Sequence, residues 1–204
     1  MDPHPLYLPA LQTIGEALRA NTDRPIITAV DGRCGAGKTS FAAYCALYFA
    51  GCTTLHMDDF FLPPKKRTAE RLATPGGNVD YERAEEELFI PLSQGREAVY
   101  RPFDCSAGAF GAPTTVPHTR LNIIEGTYAL HPVLEKYAQV KLFFTCSPQV
   151  QLYRLTRREP PEKLETFRKK WIPLEETYFS AFGIENHCDV IIDTTCLSTE
   201  EKTV

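Results

Sequence analysis

Gly32-Arg33-Cys34-Gly35-Ala36-Gly37-Lys38-Thr39 fits the pattern G-x-x-x-x-G-K-[ST], a Walker A phosphate loop, and constrains this chain more tightly than any other segment. Its three glycines let the backbone curl so that successive N–H groups point inward at a polyphosphate. Lys38 places a compact positive charge near the β- and γ-phosphates, and the Thr39 hydroxyl can hold Mg²⁺. The flanks agree. Residues 25–31 form a β-branched run that predicts a buried strand, and the Ala-rich stretch from Ser40 to Ala50 predicts a helix. Phosphates would then sit at a helix N-terminus, where the dipole and unpaired N–H groups favour anions. The run from Gly32 to Ser40 is the expected ATP site.

The remaining chain alternates strand and helix signals. Leu8, Leu11, Ile14 and Leu18 recur at helical spacing. Residues 53–57 predict a second strand, broken by Asp58-Asp59-Phe60-Phe61 and Leu62-Pro63-Pro64. A helical turn at 69–73, an acidic helix at 81–92, a short strand at 98–100 and a Gly/Ala/Pro-rich loop at 105–117 follow. Strands at 121–125 and 139–145 precede an arginine-dense helix at 150–158. A helix at 163–182 is kinked or split at Pro173, and a strand at 189–193 closes the sheet. Five strands alternating with helices predict a parallel, doubly wound α/β sheet. One domain over 1–204 is expected, with an acceptor-side insert near 60–118 and a short lid near 154–163. Ligands bind beyond the carboxyl ends of such strands, and Asp58, Asp104 and Glu125 are assigned to those ends.

Charge and cysteines narrow the class. A net charge of −4 without a Lys/Arg stripe argues against a nucleic-acid partner, and Lys65-Lys66-Arg67 reads as a solvated turn. No apolar run reaches the roughly 20 residues of a membrane span. Met1-Asp-Pro-His-Pro carries no leader signal. Seven cysteines without a C-x-x-C pair fit a reducing cytoplasm. Cys34 reads as a small tolerated residue of the loop. A homo-oligomer is left open, and the expected partners are ATP and a small-molecule acceptor.

Phosphoryl transfer needs aligned oxygens and positive charge where the transition state spreads its negative charge. Lys38 and Mg²⁺ supply part of it. Arg154, Arg157 and Arg158 share one helix face at i, i+3, i+4 and offer more, with Arg154 and Arg157 the stronger candidates. Asp58 can orient an acceptor hydroxyl and take its proton; Asp59 is expected to cap or face solvent. Glu125 ends an apolar strand, so a cation is its expected partner, with Mg²⁺ favoured over a structural hydrogen bond. His56 shares a strand face with Asp58 and reads as an ordinary buried histidine.

Together these segments resemble the uridine kinase/phosphoribulokinase branch of the P-loop kinases along nearly the whole chain. Asp58-Asp59-Phe60-Phe61 resembles that family's D-x-F-[YH], whose first aspartate acts as base, which implies that role for Asp58. Asn78-Val79-Asp80 resembles N-F-D, which implies ribose binding by Asp80, with Tyr81 beside it. Arg101-Pro102-Phe103-Asp104-Cys105 loosely resembles P-x-Y-D-F, which implies that Phe103 and Asp104 help hold a pyrimidine. Glu125-Gly126 and the lid run R-L-x-R-R at 154–158 match as well. The implied activity is ATP- and Mg²⁺-dependent phosphorylation of the 5′-OH of uridine or cytidine. The family's histidine and arginine after Y-D-F are replaced by Ser106-Ala-Gly-Ala-Phe-Gly-Ala112. Kinases for glycerate, pantothenate or another small alcohol therefore stay open, as does a nucleotide-dependent switch with no acceptor.

Overall fold

The computed structural model describes residues 4–198; Met1 to Pro3, part of the stretch read for a leader, lie outside the described residues. Along the chain the strands are β1 (Ile26–Gly32), β2 (Cys52–His56), β3 (Ala98–Tyr100), β4 (Phe103–Asp104), β5 (Ala109–Phe110), β6 (Thr114–Val116), β7 (Leu121–Glu125), β8 (Val140–Thr145) and β9 (Val190–Asp193). The helices are α1 (Leu8–Ala20), α2 (Lys38–Tyr48), α3 (Ala69–Ala73), α4 (residues 81–93), α5 (Pro148–Arg158) and α6 (residues 161–182).

Five strands pair in the order β2-β7-β1-β8-β9, all parallel, as the alternating pattern predicts. All seven residues of β1 are buried, which explains its mostly apolar composition: it lies centrally with both faces covered. Ile27 and Ala29 point into a core shared with Leu88, Phe89 and Tyr178. Ile26 and Val30 point into the opposite core with Ile14 of α1 and Phe41 of α2. The chain leaves β1 between β7 and β8, so the phosphate loop opens at the switch in strand order.

Two expectations are corrected. The loop expected at 105–117 contains β5 and β6, which pair antiparallel with β4 and β3. Pro173 does not split α6. The helix passes the proline through a π turn, Phe167–Trp171, and α4 passes Pro91 through a similar one, Glu85–Phe89. A wider turn just ahead of the ring relieves its clash with the preceding carbonyls. Among the described residues no helix is long and apolar enough to cross a membrane.

Candidate active site

A cleft of 1480 Å³ lies beyond the carboxyl ends of β1, β2 and β7, and the phosphate loop forms its floor. Gly32 (φ +133°) sits so close to β8 that a Cβ would lie 2.0 Å from the Phe144 carbonyl oxygen, and Gly37 (φ +93°) caps α2 in a left-handed turn. Among the described residues the amides of Gly35, Gly37, Lys38, Thr39 and Ser40 donate to no protein acceptor. These N–H groups at a helix start form an anion site. Arg33 and Cys34 depart from that expectation. The Arg33 N–H is bonded to Phe144 O at 3.0 Å, and its guanidinium reaches back to Glu176 at 2.7 Å and Glu185 at 2.9 Å. The Cys34 N–H donates to Glu175 at 3.0 Å, and burial beside that carboxylate keeps the thiol protonated. Ala36 N–H closes the turn onto Arg33 O at 3.1 Å. Lys38 Nζ bridges Gly32 O (2.6 Å) and Arg33 O (3.0 Å) across the mouth of the loop.

Opposite lies a carboxylate cluster. Glu125 Oε1 accepts from the Thr39 hydroxyl at 3.0 Å and lies 2.6 Å from His56 Nδ1. His56 is thus half-exposed and paired, not the ordinary buried histidine the sequence suggests. The contact with Glu125 raises its pKa, and Asp59 and Asp58 add to the effect. Mg²⁺ prefers hard oxygens and commonly keeps waters and phosphate oxygens beside one or two protein ligands. The Thr39 and Glu125 oxygens fit that donor set. Among the described residues there is no cluster of three or more His, Cys, Asp or Glu that could hold a metal. Asp58 follows β2 on a 3₁₀ turn, Met57–Phe60. Its carboxylate is open to solvent yet set deep among protein atoms, and that partial desolvation, with Glu125 nearby, raises its pKa. Asp59 turns aside to accept from Tyr100 OH at 2.7 Å.

The three arginines of α5 line the cleft in different states. Arg154 is tied down, donating to Gly35 O at 2.9 Å, Thr194 Oγ1 at 2.8 Å and Thr194 O at 2.9 Å. It braces the back of the loop against the end of β9, which corrects the expectation of a guanidinium closing over the γ-phosphate. Arg157 lies on the exposed side beside Tyr153, and Arg158 pairs with Glu159 at 2.7 Å. The segment over the cleft runs past the expected lid boundary at 163 to Phe167, Lys170 and Trp171.

Four acceptor-side candidates do not reach this cleft. Asp80 is fully buried, paired with Lys66 at 2.9 Å, and caps α4 by accepting from Arg83 N at 3.4 Å. Tyr81 stacks on His131 with ring centroids 4.0 Å apart. Phe103 is buried against Phe110. Asp104 is corrected twice: it lies on the β4–β5 hairpin rather than at a central strand end, and it accepts from Ser106 N at 2.7 Å and Ala107 N at 3.1 Å. Turn chemistry claims that carboxylate.

Other polar residues were missed by sequence reasoning. Asp31, fully buried, accepts from Gly32 N (2.7 Å), Tyr128 N (3.1 Å), Leu130 N (2.9 Å) and Tyr178 OH (2.8 Å). It carried the signal that singled out Glu125, a carboxylate closing an apolar strand. Two of its four donors, Tyr128 N and Leu130 N, pin the Gly126–Leu130 turn, where Tyr128 takes a strained φ of +81°. Glu175 of α6 reaches the loop from the lid side, and burial raises its pKa. Nothing in the local sequence marked it.

No protein-family model and no curated protein matches the sequence. Solved structures do. A candidate uridine kinase from Bacillus stearothermophilus aligns at a TM-score of 0.64 with 16% identity, over 90% of this chain and 99% of the other. A candidate fructose transport system kinase from Silicibacter sp. TM1040 aligns at 0.66 with 20% identity, over 93% and 99%. D-glycerate 3-kinase from Cryptococcus neoformans var. grubii aligns at 0.62 with 14% identity, over 86% and 88%. The chain therefore has the fold of the P-loop kinases, including uridine kinase-like members.

Proposed function

We propose that this protein is an ATP-dependent kinase that transfers the γ-phosphate to a hydroxyl of a small molecule. The observation that carries this reading is one cleft in which unpaired loop amides and Lys38 face Asp58, with the Thr39–Glu125 oxygen pair alongside. The loop amides and Lys38 hold the β- and γ-phosphates. Thr39 and Glu125 hold Mg²⁺, which when bound neutralises phosphate charge. Asp58 accepts the acceptor's hydroxyl proton as its oxygen bonds to the γ-phosphorus. The bond from that phosphorus to the bridging oxygen breaks, and ADP leaves. Partial desolvation moves the Asp58 pKa upward, toward a stronger base. Arg157 and Arg158 add positive charge from the lid side.

For the acceptor, the sequence resemblance implies uridine or cytidine. The placement of Asp80, Tyr81, Phe103 and Asp104 away from the cleft favours a small alcohol of another kind. A non-catalytic switch has no use for a proton acceptor facing the γ-phosphate end. Coupled detection of ADP against nucleosides, sugars and hydroxy acids tests the reading. Acceptor-dependent ADP formation lost in Lys38→Ala supports it. ADP release at one rate with every acceptor and with none would remove it.

A further inference from the structure

Glu175 and Glu176 are neighbours on α6 and grip neighbouring residues of the phosphate loop, yet their charges are met differently. Glu176 joins Glu185 in clasping the Arg33 guanidinium, at 2.7 and 2.9 Å. Among the described residues no such ion pair meets Glu175, which is 6% exposed and lines the cleft. Its Oε2 accepts from Cys34 N at 3.0 Å, and its Oε1 lies 3.4 Å from the Thr127 hydroxyl. Lys38 Nζ is 3.4 Å from that same hydroxyl. Burial raises the Glu175 pKa, and the Lys38 charge opposes that most strongly. Between residues 33 and 40, Arg33 N and Ala36 N are taken by backbone carbonyls, and Cys34 N alone is taken by a side chain. A carboxylate therefore sits on one donor of the anion cradle, near the cation that reaches the β- and γ-phosphates.

We infer that Glu175 is a γ-phosphate sensor: it occupies the Cys34 amide as an internal anion, and the γ-phosphate of ATP displaces it. This rests on the kinase reading given above. A γ-phosphate held by Lys38 sets like charge against a carboxylate with little water around it, where repulsion is weakly screened. ADP brings no such group and leaves the contact standing. The Cys34 amide does not follow Glu175 away. Gln151 Nε2 holds Cys34 O at 2.9 Å, and the turn beyond it closes through Ala36 N onto Arg33 O. The freed donor thus stays in place to meet a phosphate oxygen. On the helix side, Phe167, Trp171 and Glu175 recur at four-residue intervals and all line the cleft. Release of Glu175 therefore moves the face of α6 that covers the opening. Once the phosphate has passed to the acceptor, Glu175 returns to the amide, which couples the position of that face to transfer.

Trp171 is the chain's single tryptophan and reports on that face directly. The test titrates the wild-type protein, Glu175→Gln and Glu176→Gln with Mg²⁺ and either ADP or the β,γ-imido analogue of ATP, by calorimetry and by Trp171 emission. Glutamine keeps an acceptor for the Cys34 N–H and removes the charge. Glu175→Gln should raise the affinity for the analogue relative to ADP by ~10-fold or more, while Glu176→Gln leaves that ratio within a factor of about two. In the wild-type protein Trp171 emission should shift with the analogue and not with ADP. An unchanged or lowered ratio in Glu175→Gln overturns the inference and makes Glu175 a plain brace of the loop. So does an equal gain in Glu176→Gln, or the same emission change with both nucleotides. Should Glu175→Gln fail to fold, the wild-type emission decides. Binding of neither nucleotide by the wild-type protein overturns the kinase reading itself.

Discussion

Two side chains carry the proposed chemistry, and they separate cleanly by measurement. Lys38 bridges loop carbonyls that curl around the phosphate site. Lys38→Ala should abolish turnover and weaken ATP binding at least ~10-fold, as titration with an ATP analogue would read. Asp58→Asn should leave ATP affinity within a factor of about two and lower kcat by ~10²–10⁴; a large loss of nucleotide binding would contradict its role as base. His131 has no part in the chemistry but sets an acid limit on stability. Burial between Tyr81 and Tyr178, with Arg71 nearby, pushes its pKa from 6.5 down to about 4. As pH falls below 6.5 the unfolded chain takes up this proton first, so stability is lost between pH 6.5 and about 4. The loss amounts to as much as roughly 3 kcal/mol. Urea titrations of His131→Phe should flatten that slope, and an unchanged slope would refute the assignment.

At the level of elements, Arg154 couples α5, the loop and the end of β9 through three hydrogen bonds. Arg154→Ala should destabilise the fold by roughly 2–3 kcal/mol and weaken ATP binding along with the rate. A rate loss with unchanged Tm and ATP affinity would return Arg154 to a role over the γ-phosphate. The central sheet was legible because its inner strands β1, β7 and β8 are largely buried and mostly apolar, and the loop because few backbones satisfy its pattern. β3 was foreseen at 98–100, but β4, β5 and β6 were not, since strands of two and three residues with exposed positions carry little periodic signal. The continuity of α6 past Pro173 was also hidden, because a π turn leaves no compositional trace. Asp58 and Glu125 were found as carboxylates ending strands. Asp80 and Asp104 were misplaced because Lys66 and a local turn, respectively, satisfy them. Glu175 depends on a contact between distant segments and could not be read in advance.

Across the whole molecule, α6 joins the two sides of the cleft. Its first turns lie over the opening through Phe167 and Trp171, while Glu175 grips Cys34 N–H and Glu176 grips Arg33. Any movement of these turns during nucleotide binding is therefore transmitted to the floor of the site, a coupling that hydrogen exchange at residues 161–176 would report as protection on adding an ATP analogue. Unchanged exchange there would leave α6 a static wall. The account as a whole stands on transfer of phosphate between two molecules held in one cleft. The direct measurement is to follow γ-labelled ATP with the wild-type protein, Mg²⁺ and a panel of small alcohols. Label recovered on an acceptor hydroxyl, and absent with Lys38→Ala, is the expected result; label appearing only as free phosphate, at one rate with or without acceptor, would contradict it.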